Sequence, residues 1–158
     1  MKTIREKADV DRVVVIYGDM LLKVCITLLC NRYDAEEVVQ ETFITYMTHG
    51  KEFEDEEHKK SWLLRVAINK SKNVLRFRRL HSYVDLDSIK EMVAKEESEM
   101  LYEIVQLPVK LKTAIHLHYY EGYTCKEIGE ITGASEAAVK KRLQKGRERL
   151  KEILGGEE

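Results

Sequence analysis

The stretch GYTCKEIGEITGASEAAVKKRLQKGRERL, Gly122 to Leu150, constrains this chain more than any other, because it marks two helix starts separated by a tight turn. Thr124 followed three residues later by Glu127 is a capping box, and Ser135 is placed to cap the helix after Gly133 and Ala134. Ile128 and Ile131 give the first helix an apolar stripe, and Val139, Leu143, Gly146 and Leu150 recur at helical spacing on the second. At about 100° per residue, Ala137, Lys140, Lys141, Gln144 and Lys145 fall on the opposite face. The pattern predicts a helix-turn-helix whose second helix turns a basic face outward. Such a face meets phosphates and base edges; the alternative is a merely solvated basic helix.

The rest of the chain reads as helical too. Of its 158 residues, 44% are apolar and 35% charged, a folded balance, with one proline and no clear strand alternation. The fold class expected is all-α, as two small helical domains, 1–80 and 104–154, joined by an acidic linker, 81–103. The formal net charge of -1 hides segregation: Lys59 to Arg79 carries eight Lys or Arg and no acid, whereas Asp85 to Glu103 carries seven acids against Lys90 and Lys95.

From the N-terminus, Val10 to Cys30 reads as one or two buried helices, interrupted near Gly18 and Asp19. Asp34 with Glu37 predicts a capping box for the next helix, with Ala35, Val39, Phe43 and Tyr46 inward and Gly50 at its end. Its outer face carries Glu37, Gln40, Glu41 and Ile44, an acidic patch around a branched apolar residue. That patch is either a partner surface or an ordinary exposed isoleucine. KEFEDEEHKK, with five acids and no apolar period, reads as a loop or a frayed helix start.

Ser61 to Arg79 reads as a strong helix with Leu63, Leu64, Ala67, Ile68, Ser71, Val74 and Leu75 inward. Its other side aligns Trp62, Arg65, Asn69, Lys72, Asn73 and Arg76 and runs out into Arg78 and Arg79. Cations hold phosphates, Asn reaches base edges and an aromatic supports an unstacked base, so this is a second nucleic-acid face. Trp62 taken alone reads equally as partly buried. Beyond the linker, Leu107-Pro108 opens a further helix, with Leu111, Ile115 and Tyr119 inward, before Glu121-Gly122 breaks it.

No catalytic constellation is present: there is no phosphate-cradling loop, no H-E-x-x-H and no dinucleotide glycine pattern, so neither an enzyme nor a cofactor is expected. His116 and His118 are two apart and point away from one another on a helix, so they share no metal. His58 and His81 flank the basic helix and read as phosphate contacts or as solvated. Cys25, Cys30 and Cys125 are odd in number without C-x-x-C spacing, which implies no disulfide scaffold and no zinc site. The N-terminus lacks a signal-peptide core, and the longest apolar stretch, Met20 to Cys30, is broken by Lys23 and Thr27. A cytoplasmic protein without membrane insertion is expected. GGEE after Leu154 reads as a frayed tail, with no appended domain expected there.

Taken together over Tyr17 to Leu154, these motifs resemble a bacterial sigma-70 family factor of the small extracytoplasmic-function (ECF) group. DAEEVVQETF, Asp34 to Phe43, is similar to the region that docks on the clamp helices of the RNA polymerase largest subunit. KKSWLLRVAINKSKNVLRFRR, Lys59 to Arg79, resembles the region that opens and reads the -10 element. LPVKLKTAIHLHYYEGYTCKEIGEITGASEAAVKKRLQKGRERL resembles the region that reads the -35 element.

The resemblance implies a transcription initiation factor. Asp34, Glu37, Gln40, Glu41 and Ile44 would dock on core RNA polymerase, whose flap is a further expected contact. Lys59, Lys60, Ser61, Trp62, Arg65, Asn69, Lys72, Asn73 and Arg76 would follow the -10 strand. Phe53 to Ser61 would hold the loop that captures a flipped base, and FEDEEHKK is unusually acidic for such a place. Ser135, Glu136, Ala137, Lys140, Lys141, Arg142 and Gln144 would lie at the -35 major groove of promoter DNA. A cognate anti-sigma factor is the remaining implied partner. The competing readings are a dimeric operator-binding helix-turn-helix protein, which leaves Trp62 to Arg79 without a purpose, and a pure interaction protein.

Overall fold

The computed structural model describes residues 5–78, 87, 90, 91, 94 and 99–155, and these are helical without a strand among them. Among the described residues, helices follow in the order α1 Lys7–Leu29, α2 Arg32–Thr48, α3 Glu56–Phe77, α4 Glu99–Ile104, α5 Val109–Tyr119, α6 Cys125–Thr132 and α7 Glu136–Gly155. The chain divides into two compact units, Met1–Val84 and Asp85–Glu158. The all-α, two-unit expectation holds. Arg79, His81 and most of the acidic linker lie outside the described residues.

In the first unit α1, α2 and α3 pack against one another. Val13, Tyr17, Leu21, Val24 and Leu28 of α1 are buried against Ala35, Val38, Phe43 and Tyr46 of α2 and Leu63, Leu64, Ala67 and Ile68 of α3. Gly18 does not interrupt α1, which runs as one helix because its apolar residues keep helical spacing on both sides of that glycine. At its end Cys30 takes the left-handed conformation, φ 52°, and its N–H bonds the Ile26 carbonyl. Asn31 then caps α2, its side-chain oxygen accepting from the Asp34 N–H at 2.9 Å. The expected capping box at Asp34 is therefore displaced: the cap lies three residues earlier and Asp34 sits inside the first turn. Val38, not Val39, faces the core, and α2 ends at Thr48, with His49 rather than Gly50 as its C-cap.

In the second unit the core is Leu101 and Ile104 of α4, Leu111, Ile115 and Leu117 of α5, Ile128 and Ile131 of α6, and Val139, Leu143 and Leu150 of α7. Pro108 is the N-cap of α5 and precedes its first turn, its carbonyl accepting from Leu111 and Lys112. Tyr119, expected inward, is 54% exposed, and its hydroxyl meets Arg147 Nε at 2.5 Å. Two glycines set helix approach. A Cβ at Gly146 would lie 2.8 Å from Ile115 Cγ1, so α5 and α7 touch where α7 has no side chain. A Cβ at Gly129 would lie 2.6 Å from the Ala134 carbonyl oxygen, so α6 presses directly on the turn that follows it.

Candidate nucleic-acid interface

The helix-turn-helix forms as its caps dictate. Thr124 Oγ1 accepts from the Glu127 N–H at 3.2 Å, and Glu127 Oε1 accepts from the Thr124 N–H at 3.0 Å. That backbone donor is the main reason the Glu127 carboxyl sits below its ordinary range. Gly133 closes α6 at φ 77°, a conformation that costs a residue with a Cβ about 1 kcal/mol. Ser135 Oγ then accepts from Ala138 N–H at 3.1 Å and opens α7.

With Val139, Leu143, Gly146 and Leu150 buried, Glu136, Ala137, Lys140, Lys141, Gln144 and Lys145 are exposed together, and Arg142 is half-buried at the edge. Lys140 lies 3.6 Å from Glu136, and Gln144 donates to Glu148 at 3.3 Å. Both contacts are exposed and contribute little to stability, so these side chains are held loosely and are available to a groove. Ala137 gives the first turn of this face no long side chain.

On α3 the second face is also formed. Arg65, Asn69, Asn73 and Arg76 are exposed, and Lys60, Ser61, Trp62 and Lys72 half-buried beside them. Arg76 donates to Asn73 Oδ1 at 2.8 Å, which orients both toward solvent. Trp62 resolves in favour of partial burial: its ring lies 4.6 Å from His49, 5.4 Å from Phe53 and 6.3 Å from Tyr46, centroid to centroid.

Two cations of this stretch turn inward. Lys59 is buried, its ammonium 3.4 Å from Glu56 and about 6 Å from the Tyr46 and Phe53 rings, so its charge is used within the fold. Arg78 donates to the Leu29 carbonyl at 2.7 Å and to Asp34, tying the end of α3 to the junction of α1 and α2. Asp34 is thereby occupied at one end of the α2 outer face. Glu37, Gln40, Glu41 and Ile44 stand exposed on that face, and Tyr33, 75% exposed, extends it by a turn. Tyr33 carried no periodic signal, being an aromatic next to a cap.

The acidity of the loop before α3 has a structural cause. Asp55 caps α3, accepting from His58 N–H at 2.7 Å. Glu56 accepts from the Tyr17 hydroxyl at 2.6 Å and from Arg12 at 3.1 Å, linking α1 to the start of α3. The Tyr17 hydroxyl, with Arg12 and Lys59 behind it, holds the Glu56 carboxyl down to about 2 against burial. Burial, with Glu56 as its partner, pushes the Tyr17 phenol up to about 12. Tyr46 donates to Asp9 at 2.7 Å and is raised to about 12, again chiefly by burial. His58 Nδ1 accepts from the Glu54 N–H at 3.1 Å. Sequence reasoning missed this network because its members lie some 40 residues apart.

Among the described residues no cluster of three or more His, Cys, Asp or Glu is arranged to hold a metal ion, and no helix is long and apolar enough to cross a membrane. Cys25, Cys30 and Cys125 are not joined in disulfides.

Comparison with known proteins agrees with this geometry. Residues 13–81 match the Sigma-70 region 2 family and residues 98–150 the Sigma-70, region 4 family. The ECF RNA polymerase sigma-E factor of Haemophilus influenzae is 30% identical, over 79% of this chain and 77% of its own length. The ECF RNA polymerase sigma factor SigW of Bacillus subtilis is 28% identical, over 94% of this chain and 92% of its own. Among solved structures, CnrH in complex with the cytosolic domain of CnrY has a TM-score of 0.72 at 22% identity, covering 97% of this chain and 92% of that one. The sigma factor RpoE in complex with the anti-sigma factor NepR from Bartonella quintana has a TM-score of 0.66 at 19% identity, covering 93% and 97%. With one unit matching region 2, the other matching region 4, and full-length relatives of the same kind, the chain belongs to the bacterial sigma-70 family, in its extracytoplasmic-function group.

Proposed function

We propose that this sigma factor binds core RNA polymerase through the outer face of α2, reads the -35 element with α7 and the -10 element with α3, and assists melting of the latter. The observation that carries this reading is the pair of exposed polar and cationic faces on separate units. Arg65, Asn69, Asn73 and Arg76 form the first, and Lys140, Lys141, Gln144 and Lys145 the second. An operator-binding helix-turn-helix protein has use only for the second. On this reading α7 supplies phosphate contacts and groove readout, while α3 and the loop before it hold strand separation open by taking a base out of the stack, at a cost of a few kcal/mol. Lys59 and Arg78 are scaffolding for the -10 face and leave strand contact to their exposed neighbours.

The factor catalyses nothing itself and acts in the cytoplasm, where its polymerase is. A cognate anti-sigma factor that covers the α2, α3 or α7 faces is part of the proposal, supported by the solved relative held by NepR. Run-off transcription with core polymerase on genomic fragments tests the whole reading: promoter-specific transcripts that require this chain support it. Tight, specific duplex binding by the free protein in a gel shift, with no effect on polymerase, would replace it by the operator-binding reading.

A further inference from the structure

The C-terminal end of α2 is closed only in part by its own residues: the Thr48 hydroxyl donates to the Thr45 carbonyl at 3.2 Å, and no left-handed residue follows. His49 takes an extended conformation, φ -76° and ψ 117°, and its N–H returns to the Tyr46 carbonyl. The last carbonyls of a helix need donors, and a cation suits the negative end of its dipole. Arg5, ahead of α1, supplies both: Nε donates to the Tyr46 carbonyl at 3.1 Å and the Arg5 N–H to the Met47 carbonyl at 3.3 Å. The other end of the guanidinium reaches into the following loop, where Nη2 donates to the Lys51 carbonyl at 2.9 Å. Its plane lies 4.3 Å from the Tyr46 ring and 5.3 Å from the Phe53 ring, so the same group holds the loop on both sides of its turn.

Asp9 stands behind Arg5 at 3.5 Å and accepts from Tyr46, and only 11% of the Arg5 side chain is exposed. This arginine is therefore committed to the fold and is not a phosphate contact. The loop it fixes walls a cavity of about 340 Å³ lined by Arg5, Asp9, His49, Gly50, Glu52 and Lys59, and carries Phe53, whose edge meets Trp62.

We propose that Arg5 is a positioning residue for the strand-capturing loop between α2 and α3: it fixes the loop before DNA arrives, so that the ordering entropy of the loop is not charged to base capture. This rests on the proposed -10 reading. Only the planar fork of arginine reaches both carbonyls at once, so Arg5→Lys keeps the charge without the bridge.

The test uses Arg5→Ala, Arg5→Lys and the parent, first free and then as holoenzyme with core polymerase. Trypsin cuts after Lys51, at the very carbonyl that Arg5 holds; in Arg5→Ala cleavage there should quicken about tenfold relative to cleavage elsewhere in the first unit, with Arg5→Lys between. Holoenzyme affinity for a single-stranded -10 oligonucleotide is then measured with an abasic site moved along it. In the parent an abasic site at one position should weaken binding most; in Arg5→Ala the penalty for an abasic site there should shrink about tenfold and the penalties elsewhere stay within twofold. A loop cut faster with an unchanged abasic profile overturns the positioning role, as does a uniform loss at every position, which indicates general loosening. A parent profile with no outstanding position overturns base capture by this loop, and the inference with it, while leaving polymerase binding intact.

Discussion

Replacing Gly129 by alanine tests whether the turn of the helix-turn-helix is as tightly seated as its geometry demands. The added Cβ would stand 2.6 Å from the Ala134 carbonyl oxygen, where ordinary contact begins at 3.4 Å, so the peptide must retreat by about 0.8 Å, the difference of the two. That peptide is not free to retreat. The two peptides before it are pinned: the Ala134 N–H donates to the Gly129 carbonyl at 3.0 Å, beside the Gly133 N–H at 2.8 Å. A clash with backbone belongs at the upper end of overpacking costs, about 3 kcal/mol, and alanine returns about 1 kcal/mol in helix propensity. The net loss of about 2 kcal/mol lowers the folded-to-unfolded ratio of the second unit roughly 30-fold. Trp62 is the sole tryptophan and lies in the first unit, so its fluorescence reports that unit alone, while far-UV circular dichroism reports both. In urea the Trp62 transition should stay in place and the second unit should unfold about 1 to 2 M earlier. An unchanged or raised midpoint for the second unit would refute the argument, since propensity alone predicts a gain.

Three further outcomes follow from the interfaces and the buried network. Ile44→Glu should abolish polymerase binding in a pull-down with core enzyme and leave the urea midpoint alone, because Ile44 is exposed on α2; undiminished binding removes the docking surface. Lys141→Ala should weaken promoter binding and reduce the slope of log affinity against log salt by about 1; a smaller affinity at the same slope would place Lys141 away from phosphate. Since the Glu56 carboxyl is held at about 2 against an ordinary 4.5, the unfolded chain binds the extra proton in that window. Its contribution is therefore present above pH 4.5 and lost as pH falls toward 2. Tyr17→Phe should flatten this acid limb of the stability profile, and an identical limb in the variant would separate Glu56 from Tyr17.

Much of the second unit was legible because its instructions are local. A capping box, a left-handed glycine and a serine cap lie within a dozen residues, and the α7 faces follow from the period alone. The first unit depends on distant partners, and there the reading slipped in characteristic ways. Asp34 looks like a cap, but Asn31 stands earlier and the left-handed Cys30 leaves room for it. Gly18 looks like a break, but burial on either side outweighs the propensity of one residue. Lys59 reads as a strand contact until Tyr46, Phe53 and Glu56 are brought around it, and the acidity of the loop is puzzling until Tyr17 and Arg12 claim Glu56. Arg5 left no trace in any periodic pattern, because what it completes lies 41 residues away.

The seat of Ile115 on Gly146 also bears on how relatives of this chain can diverge. Volume at that crossing is shared between two positions 31 residues apart, and at present one of them holds all of it. A side chain at 146 would require the Ile115 side chain to swing aside or shrink, so the two sites should drift as a linked pair while their exposed neighbours on α7 vary with the promoter being read.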